Sequence, residues 1–148
     1  MQPVEELRYL ILAAQREAYR QLADRLRPLG LTPSQAEVLT VLAQREPLSL
    51  VDLGELLVCE TGSPSRLVNG LVEHGLVRRD RSDTDRRMIT LTLTDRGRSQ
   101  VQRLTDIDRQ YHADMSRRLN GDDLDHVTRA LWQLVGDRPA GRALQKRR

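Results

Sequence analysis

The polar groups with the most chemistry to offer lie between Cys59 and Thr94, in the stretch CETGSPSRLVNGLVEHGLVRRDRSDTDRRMITLTLT. Its first part, from about Ser63 to His74, has the spacing of a short helix with Leu67, Leu71 and Val72 on one side. Ser63, Ser65, Arg66 and Asn69 are left on the other. Hydroxyls serve base edges or phosphates, a carboxamide pairs with adenine, and a guanidinium pairs with guanine or phosphate. Pro64, at a helix start where proline costs little, also offers an apolar face to a thymine methyl. Gly75 stops the helix, and two β-rich runs follow, Leu76–Arg79 and Met88–Thr94. Between them lies a tip with Arg81, Arg86 and Arg87 among Ser82, Asp83, Thr84 and Asp85. Arg87 is the candidate for insertion into a narrow minor groove, oriented by Asp85, with Arg86 able to exchange roles. Arg78, Arg79 and Arg81 suit phosphates, and Ser49 and Thr61 sit at helix starts whose amides grip phosphate. The plainer reading is an amphipathic helix with a polar outer face, followed by a solvated turn.

Composition admits that chemistry and removes others. The chain has 148 residues, one domain's worth, and its 39% hydrophobic content supports a core. With no Phe and one Trp, that core is built mostly from Leu, Val and Ala. The net charge is only +3, and Lys146 is the sole lysine. An arginine-dominated basic complement suits phosphate forks and groove insertion, and equally reflects a GC-rich genome. A single cysteine, Cys59, excludes an internal disulfide framework and any multi-cysteine metal site. His74, His112 and His126 are scattered without ligand-spaced partners, so no metal is expected. No Ser-His-Asp order, glycine-rich phosphate loop or paired-acid motif appears, so neither an enzyme nor a cofactor is expected. No run of about 18 apolar residues exists, and MQPVEELRYL lacks the pattern of a signal peptide. The expectation is a cytoplasmic protein without membrane contact.

The elements that must position the site are legible as periodicity and caps. Val4, Leu7, Ile11, Ala14, Ala18, Leu22 and Leu26 form one apolar stripe from Pro3 to Arg27, halted by Pro28 and Gly30. A stripe of seven turns exceeds what a small domain needs and points to packing against a second copy. Thr32-Pro33-Ser34-Gln35 is a capping box. The helix it opens carries Ala36, Val38, Leu39, Val41 and Leu42. Ser49 caps a short helix from Leu50 to Val58, a turn follows, and the Ser63–His74 helix completes a helix-turn-helix. In Met88–Thr94, Ile89, Leu91 and Leu93 alternate with threonines, as in a half-buried strand. The connection to its partner is too long for a tight turn and makes a wing. Thr94 caps a helix striped by Val101, Leu104, Ile107, Tyr111, Met115 and Leu119, and Asn120-Gly121 breaks it. A final helix carries Leu124, Val127, Leu131 and Leu134 and closes near Gly136 and Asp137. The basic tail, residues 138–148, has little apolar content and is expected to be disordered.

At the wing, Asp85-Arg86-Arg87, five residues, then Leu93-Thr94 resembles the D-x-R-x5-L-T signature of the MarR (multiple antibiotic resistance regulator) family. Ser65-Arg66-Leu67-Val68 and Gly75-Leu76-Val77-x-Arg79 look like that family's recognition helix and first wing strand. The resemblance runs from about Pro3 to Gly136. Gly70 is a departure, since the family more often places a charged or polar residue there. The resemblance implies a mainly α fold with a small β-wing, a winged helix-turn-helix plus N- and C-terminal dimerisation helices. It divides a single domain over 1–137 into a DNA-binding lobe (about 32–94) and dimerisation helices (about 3–29 and 95–136). It further implies a homodimer that binds a palindrome in double-stranded DNA, a repressor released by a small aromatic or lipophilic effector. Tyr9, Arg16, Tyr19, Tyr111 and His112 are candidates to line the effector cleft, and equally plausible as packing or surface residues. Cys59 precedes the recognition helix, where oxidation could misplace that helix. Against that role, Glu60 disfavours the thiolate, and peroxide-sensing members carry their cysteine near the first helix. A redox-sensing regulator and a winged-helix protein-interaction module are the alternatives.

Overall fold

The computed structural model describes every residue except Met1, Glu60, Thr61, Gly62 and Arg86. α1 (Pro3–Leu26) runs into a 3-10 turn (Arg27–Leu29), and α2 (Pro33–Arg45), β1 (Leu48–Ser49), α3 (Leu50–Gly54) and α4 (Pro64–Glu73) follow. A hairpin of β2 (Val77–Arg81) and β3 (Ile89–Leu93) leads into α5 (Asp95–Arg118), α6 (Gly121–Val135) and α7 (Pro139–Arg147). The fold is mainly helical with a small antiparallel wing, as the sequence predicts. β1 adds a third strand, in the order β1-β3-β2, with Leu48 opposite Leu91 and Ser49 opposite Thr90.

The starts of α2, α3, α5 and α6 are each fixed by a side chain accepting an amide hydrogen that the helix itself cannot satisfy. Gln35 N donates to Thr32 Oγ1 at 3.2 Å and Thr32 N donates back to Gln35 Oε1 at 3.0 Å, closing the capping box. Ser49 accepts from Asp52 N at 3.1 Å, Thr94 from Gly97 N at 3.0 Å and Asn120 from Asp123 N at 2.9 Å. Asn120 therefore opens the helix after the break it causes. α3 is shorter than the expected Leu50–Val58 and ends at Gly54.

One apolar core joins the end of α1, α2, α3, α4, the hairpin and the first turns of α5. Leu26, Leu39, Leu42, Leu53, Leu71, Leu91, Leu104 and Val68 are among its fully buried members. On α4 the innermost positions are Val68 and Leu71, while Leu67 and Val72 are half-buried. The joint between hairpin and α5 is tight. Thr94 Oγ1 donates to Gly75 O at 2.6 Å, and Thr94 N donates to Leu76 O at 3.1 Å. A Cβ on Gly97 would sit 2.1 Å from Leu76 O, so no larger residue fits without displacing backbone.

Outside this core the long helices are bare. Val4 is 78% exposed and Leu10 59%, and α6 buries no residue, with Leu124, Val127, Leu131 and Leu134 all exposed. The tail departs from expectation. Residues 139–147 form α7, with Gly141 and Ala143 buried, because Pro139 starts the helix and a glycine lets it approach the Val135 carbonyl.

Arg25 of α1 donates to the Asp114 carboxylate of α5, as does Arg117. The hydrogen bond from Arg25 holds the Asp114 carboxyl below the usual carboxylate range, with the charges of Arg117, Arg25 and Arg118 adding to it against partial desolvation. A depressed folded-state pKa contributes stability that is present above the ordinary carboxylate value and lost as pH falls through the depressed one. Asp114→Asn is therefore expected to lower Tm at neutral pH, with the gap to the parent protein closing in acid. An equal deficit at all pH values would show that the charge is immaterial.

The same substitution at two glycines should act in opposite directions. Gly97→Ala is expected to cost about 2–4 kcal/mol because backbone must move. A Cβ on Gly70, by contrast, meets only Gln35 Nε2 at 3.6 Å. Gly70→Ala should therefore raise stability by about 0.5–1 kcal/mol through helix propensity. Denaturant unfolding of the two variants measures both signs.

Candidate nucleic-acid interface

α4 is held at both ends and leaves one side open. Pro64 occupies its first position and packs over Gly54 of α3, where an added Cβ would lie 3.3 Å from the proline ring. The proline thus spends part of its apolar face inside the helix-turn-helix. At the other end His74 Nδ1 lies 2.6 Å from Gly70 O and Gly75 adopts φ of 70°. On the open side Ser63, Arg66 and Asn69 are exposed, Ser65 is half-buried, and the two serine hydroxyls lie 2.6 Å apart.

The hairpin register assigns the wing arginines to two faces. Arg78 and Asp80 stand opposite Thr92 and Thr90, whereas Arg79 and Arg81 stand opposite Leu91 and Ile89. Arg78 Nε donates to Asp80 Oδ2 at 2.8 Å and to Thr92 Oγ1 at 3.1 Å, and Thr92 Oγ1 donates to Asp80 Oδ2 at 2.9 Å. That network ties Arg78 down on one face. On the other, Arg79 donates to the Asn69 carboxamide oxygen, which fixes the rotation of Asn69 and joins wing to α4.

The wing tip is shaped by its own polar side chains. Ser82 N donates to Met88 O at 2.8 Å and Met88 N to Asp85 O at 2.9 Å. Asp85 Oδ1 accepts the backbone N–H of Arg87 at 2.9 Å. Asp85 therefore sets the backbone from which Arg87 projects, and the guanidinium itself stays exposed. Among the described residues, no salt bridge engages Arg66, Arg81 or Arg87. Arg86 and Thr61 lie outside the described residues. Ser49 spends its hydroxyl on Asp52, by both accepting from its amide and approaching its carboxylate at 2.7 Å, and its backbone pairs with Thr90.

The five residues named for an effector cleft are not brought together within one chain. Arg16 and Tyr19 line a shallow cavity of about 340 Å³ with Arg20, Ala23 and Asp24. Tyr111 lines a separate one of about 200 Å³ with Ala14, Ala18, Gln21, Asp114 and Met115, between α1 and α5. Tyr9 is exposed under Arg8, whose guanidinium lies 4.1 Å from the ring centroid, and His112 sits beside Tyr111 at 6.2 Å between ring centroids.

Cys59 is exposed, with its backbone N–H donated to Glu37 Oε2 at 2.7 Å. Sequence reasoning passed over Glu37, which also accepts from Val58 N at 2.9 Å. No local pattern signals it, because the bonded partners lie 21 and 22 residues away.

A helical core, a helix-turn-helix and a hairpin joined through Arg79 and Asn69 define a winged helix-turn-helix protein. A family model described as the MarR family matches residues 29–88. The organic hydroperoxide resistance transcriptional regulator of Bacillus subtilis (strain 168) is 28% identical over 130 residues, 88% of this chain and 87% of that protein. The HTH-type transcriptional regulator MgrA of Staphylococcus aureus is 26% identical over 132 residues, 88% of each chain. The transcriptional repressor CouR, solved bound to a 23-mer DNA duplex, is similar with a TM-score of 0.76 at 27% identity, over 86% of this chain and 91% of that one. A mutant MarR from E. coli complexed with operator DNA shares the fold with a TM-score of 0.80 at 23% identity, over 89% and 95%. This chain is similar to the MarR family of winged-helix transcriptional regulators over most of its length.

Proposed function

We propose that the chain is a cytoplasmic homodimeric repressor that reads a palindromic operator and is released by a small-molecule effector. The observation that carries the reading is the open face made by α4 and the wing, where, among the described residues, no salt bridge engages Arg66, Arg81 or Arg87. Ser63, Ser65, Arg66 and Asn69 face the major groove, with Arg79 orienting Asn69. Pro64 stands at the entry to α4 beside them, its free edge towards the bases. Arg87 enters the minor groove from a backbone that Asp85 shapes, and Arg81 meets phosphate, whereas Asp80 and Thr92 hold Arg78 on the opposite face of the wing. The amides at the start of α3, next to Ser49, add anchoring to the backbone.

The second support is the bare leucine stripe of α6 together with the exposed N-terminal half of α1. Helices striped this way in water need a partner, and a second copy supplies two reading faces for a palindrome. The cavity between α1 and α5, next to Tyr111 and His112, is the part of the effector cleft that one chain provides. Tyr9, Arg16 and Tyr19 complete it only where a second copy or a different helix packing brings them near. Its apolar and aromatic lining fits a small aromatic or lipophilic molecule. Release by oxidation of Cys59 is a second reading, favoured by the exposure of that residue on the approach to α4. Peroxide release that survives Cys59→Ser removes it.

Selection from a randomised duplex library at low salt is expected to enrich a palindrome; no enrichment would favour a protein-interaction module. On the enriched duplex, Arg87→Ala should bind at least about tenfold more weakly with little change in Tm. Asn69→Ala should lose about 1–3 kcal/mol of discrimination at one base position. Full affinity of Arg87→Ala at low salt would overturn the wing assignment.

Sedimentation equilibrium should give twice the mass of one chain, and Leu131→Glu should give the single-chain mass with helical content retained. A single-chain mass for the parent protein would end the dimer reading.

A further inference from the structure

The Glu37 side chain, on α2, is only 8% exposed and works with both oxygens. Oε1 accepts Val58 N and Oε2 accepts Cys59 N, so one carboxylate holds the backbone that leaves α3 for α4. Ser34, on the same helix, donates its hydroxyl to Cys59 O at 3.4 Å. A carboxylate that far from water needs a counter-charge. It arrives from the other end of the chain, where Arg147 Nη1 donates to Glu37 Oε1 at 2.6 Å. The Arg147 side chain is itself 24% exposed, well below the other arginines in ion pairs apart from Arg25.

α7 is seated so that this contact is held from several sides. Arg45 of α2 donates to Lys146 O at 3.0 Å, Lys146 pairs with Glu55 just past α3, and Ala143 is 3% exposed. Gln145 Nε2 donates to Gly136 O at 3.1 Å, and the Arg148 guanidinium lies 4.7 Å from the centroid of the Trp132 ring on α6. The basic end of the chain thus straps α6 to the helix-turn-helix.

We propose that Arg147 is a positioning residue for DNA recognition: by neutralising and holding Glu37, it fixes the Val58–Cys59 backbone and with it the pose of α4. This rests on the DNA-binding reading above. Removing the guanidinium leaves a carboxylate with two amides but no counter-charge, which then turns toward water and releases the turn. Nothing in this role requires Arg147 to touch DNA.

The test uses the full chain and the duplex enriched by the parent protein. Arg147→Ala is expected to bind that duplex about tenfold more weakly, with an unchanged slope of log affinity against log salt because no phosphate contact is lost. Sedimentation mass should stay the same, and amide exchange at Val58 and Cys59 should quicken. Arg147→Lys should recover part of the affinity, since an ammonium reaches the same carboxylate. Glu37→Gln should weaken binding too, and the double variant should be no worse than the weaker single one, as for residues acting through one contact. Parental affinity in Arg147→Ala, or a salt slope reduced by about one, overturns the inference, the latter by making Arg147 a phosphate contact. Additive losses in the double variant overturn it as well. Failure of the parent protein to enrich any duplex overturns the DNA-binding reading and this inference together, whereas the other outcomes bear on Arg147 alone.

Discussion

The approach of the Leu76 carbonyl to Gly97 is the constraint on which the arrangement of this molecule depends. Leu76 follows the glycine that ends α4 and precedes the first wing strand, and Gly97 lies in the first turn of α5. Thr94 bridges the same place twice, through its amide to Leu76 O and its hydroxyl to Gly75 O. A second hydrogen bond, from Leu93 N to Glu46 at 2.6 Å, brings the end of α2 to the joint, and Arg98 pairs with that same Glu46. Recognition helix, wing and long helix therefore meet within a few residues, with little room to pivot independently. A displacement of α5 at this point moves both the end of α4 and the root of the wing, which is the mechanical coupling a regulator of DNA binding needs.

Burial divides the chain into two kinds of helix. The segment from Leu26 to Leu104 holds nearly all of the fully buried side chains and supplies its own core. The N-terminal half of α1, the distal half of α5 and all of α6 keep their apolar residues at the surface. Leucine stripes of that length are stabilised by tertiary burial, since propensity alone leaves helices marginal in water. The lobe is thus self-sufficient in packing and the outer helices are not. A protein so divided can move its outer helices without disturbing the core that shapes the lobe.

What could be read from the sequence was whatever is encoded within a few residues. Thr32 with Gln35, Ser49 with Asp52 and Thr94 with Gly97 are three-residue relations between a cap and an amide, visible as residue types at fixed spacing. The alternation through Ile89, Leu91 and Leu93 is equally local and marks the strand. Pairings across long separations were not legible: β1 on β3, Arg79 on Asn69 and Arg147 on Glu37 each depend on the fold to bring the partners together. The tail misled for a related reason. Its contacts use small residues and salt bridges, Gly141 and Ala143 against α6 and the lobe and Lys146 on Glu55, so it lacks the apolar stripe by which a packed helix announces itself. At the wing tip a turn geometry gives the Asp85 carboxylate the backbone amide of Arg87, so the expected orientation of that arginine comes through its backbone and not through its guanidinium.

The modest net charge of +3 is compatible with a DNA-reading surface because pairing, and not number, decides where positive potential appears. Most of the acidic side chains in ion pairs are matched to an arginine of the same helix or the same core region: Arg27 with Asp24, Arg98 with Glu46, Arg109 with Asp106, Arg117 with Asp114. On the wing, the Asp80 carboxylate takes Arg78 and Thr92, which removes one arginine from the open face and stiffens the opposite one. Among the described residues, Arg66, Arg81 and Arg87 are left without such partners where α4 and the wing share a side. Exposed pairs of this kind contribute little stability. Their consequence is spatial: on the wing the Arg78–Asp80 pair lies on the face opposite Arg79 and Arg81, so the face that the wing shares with α4 keeps its arginines out of ion pairs among the described residues.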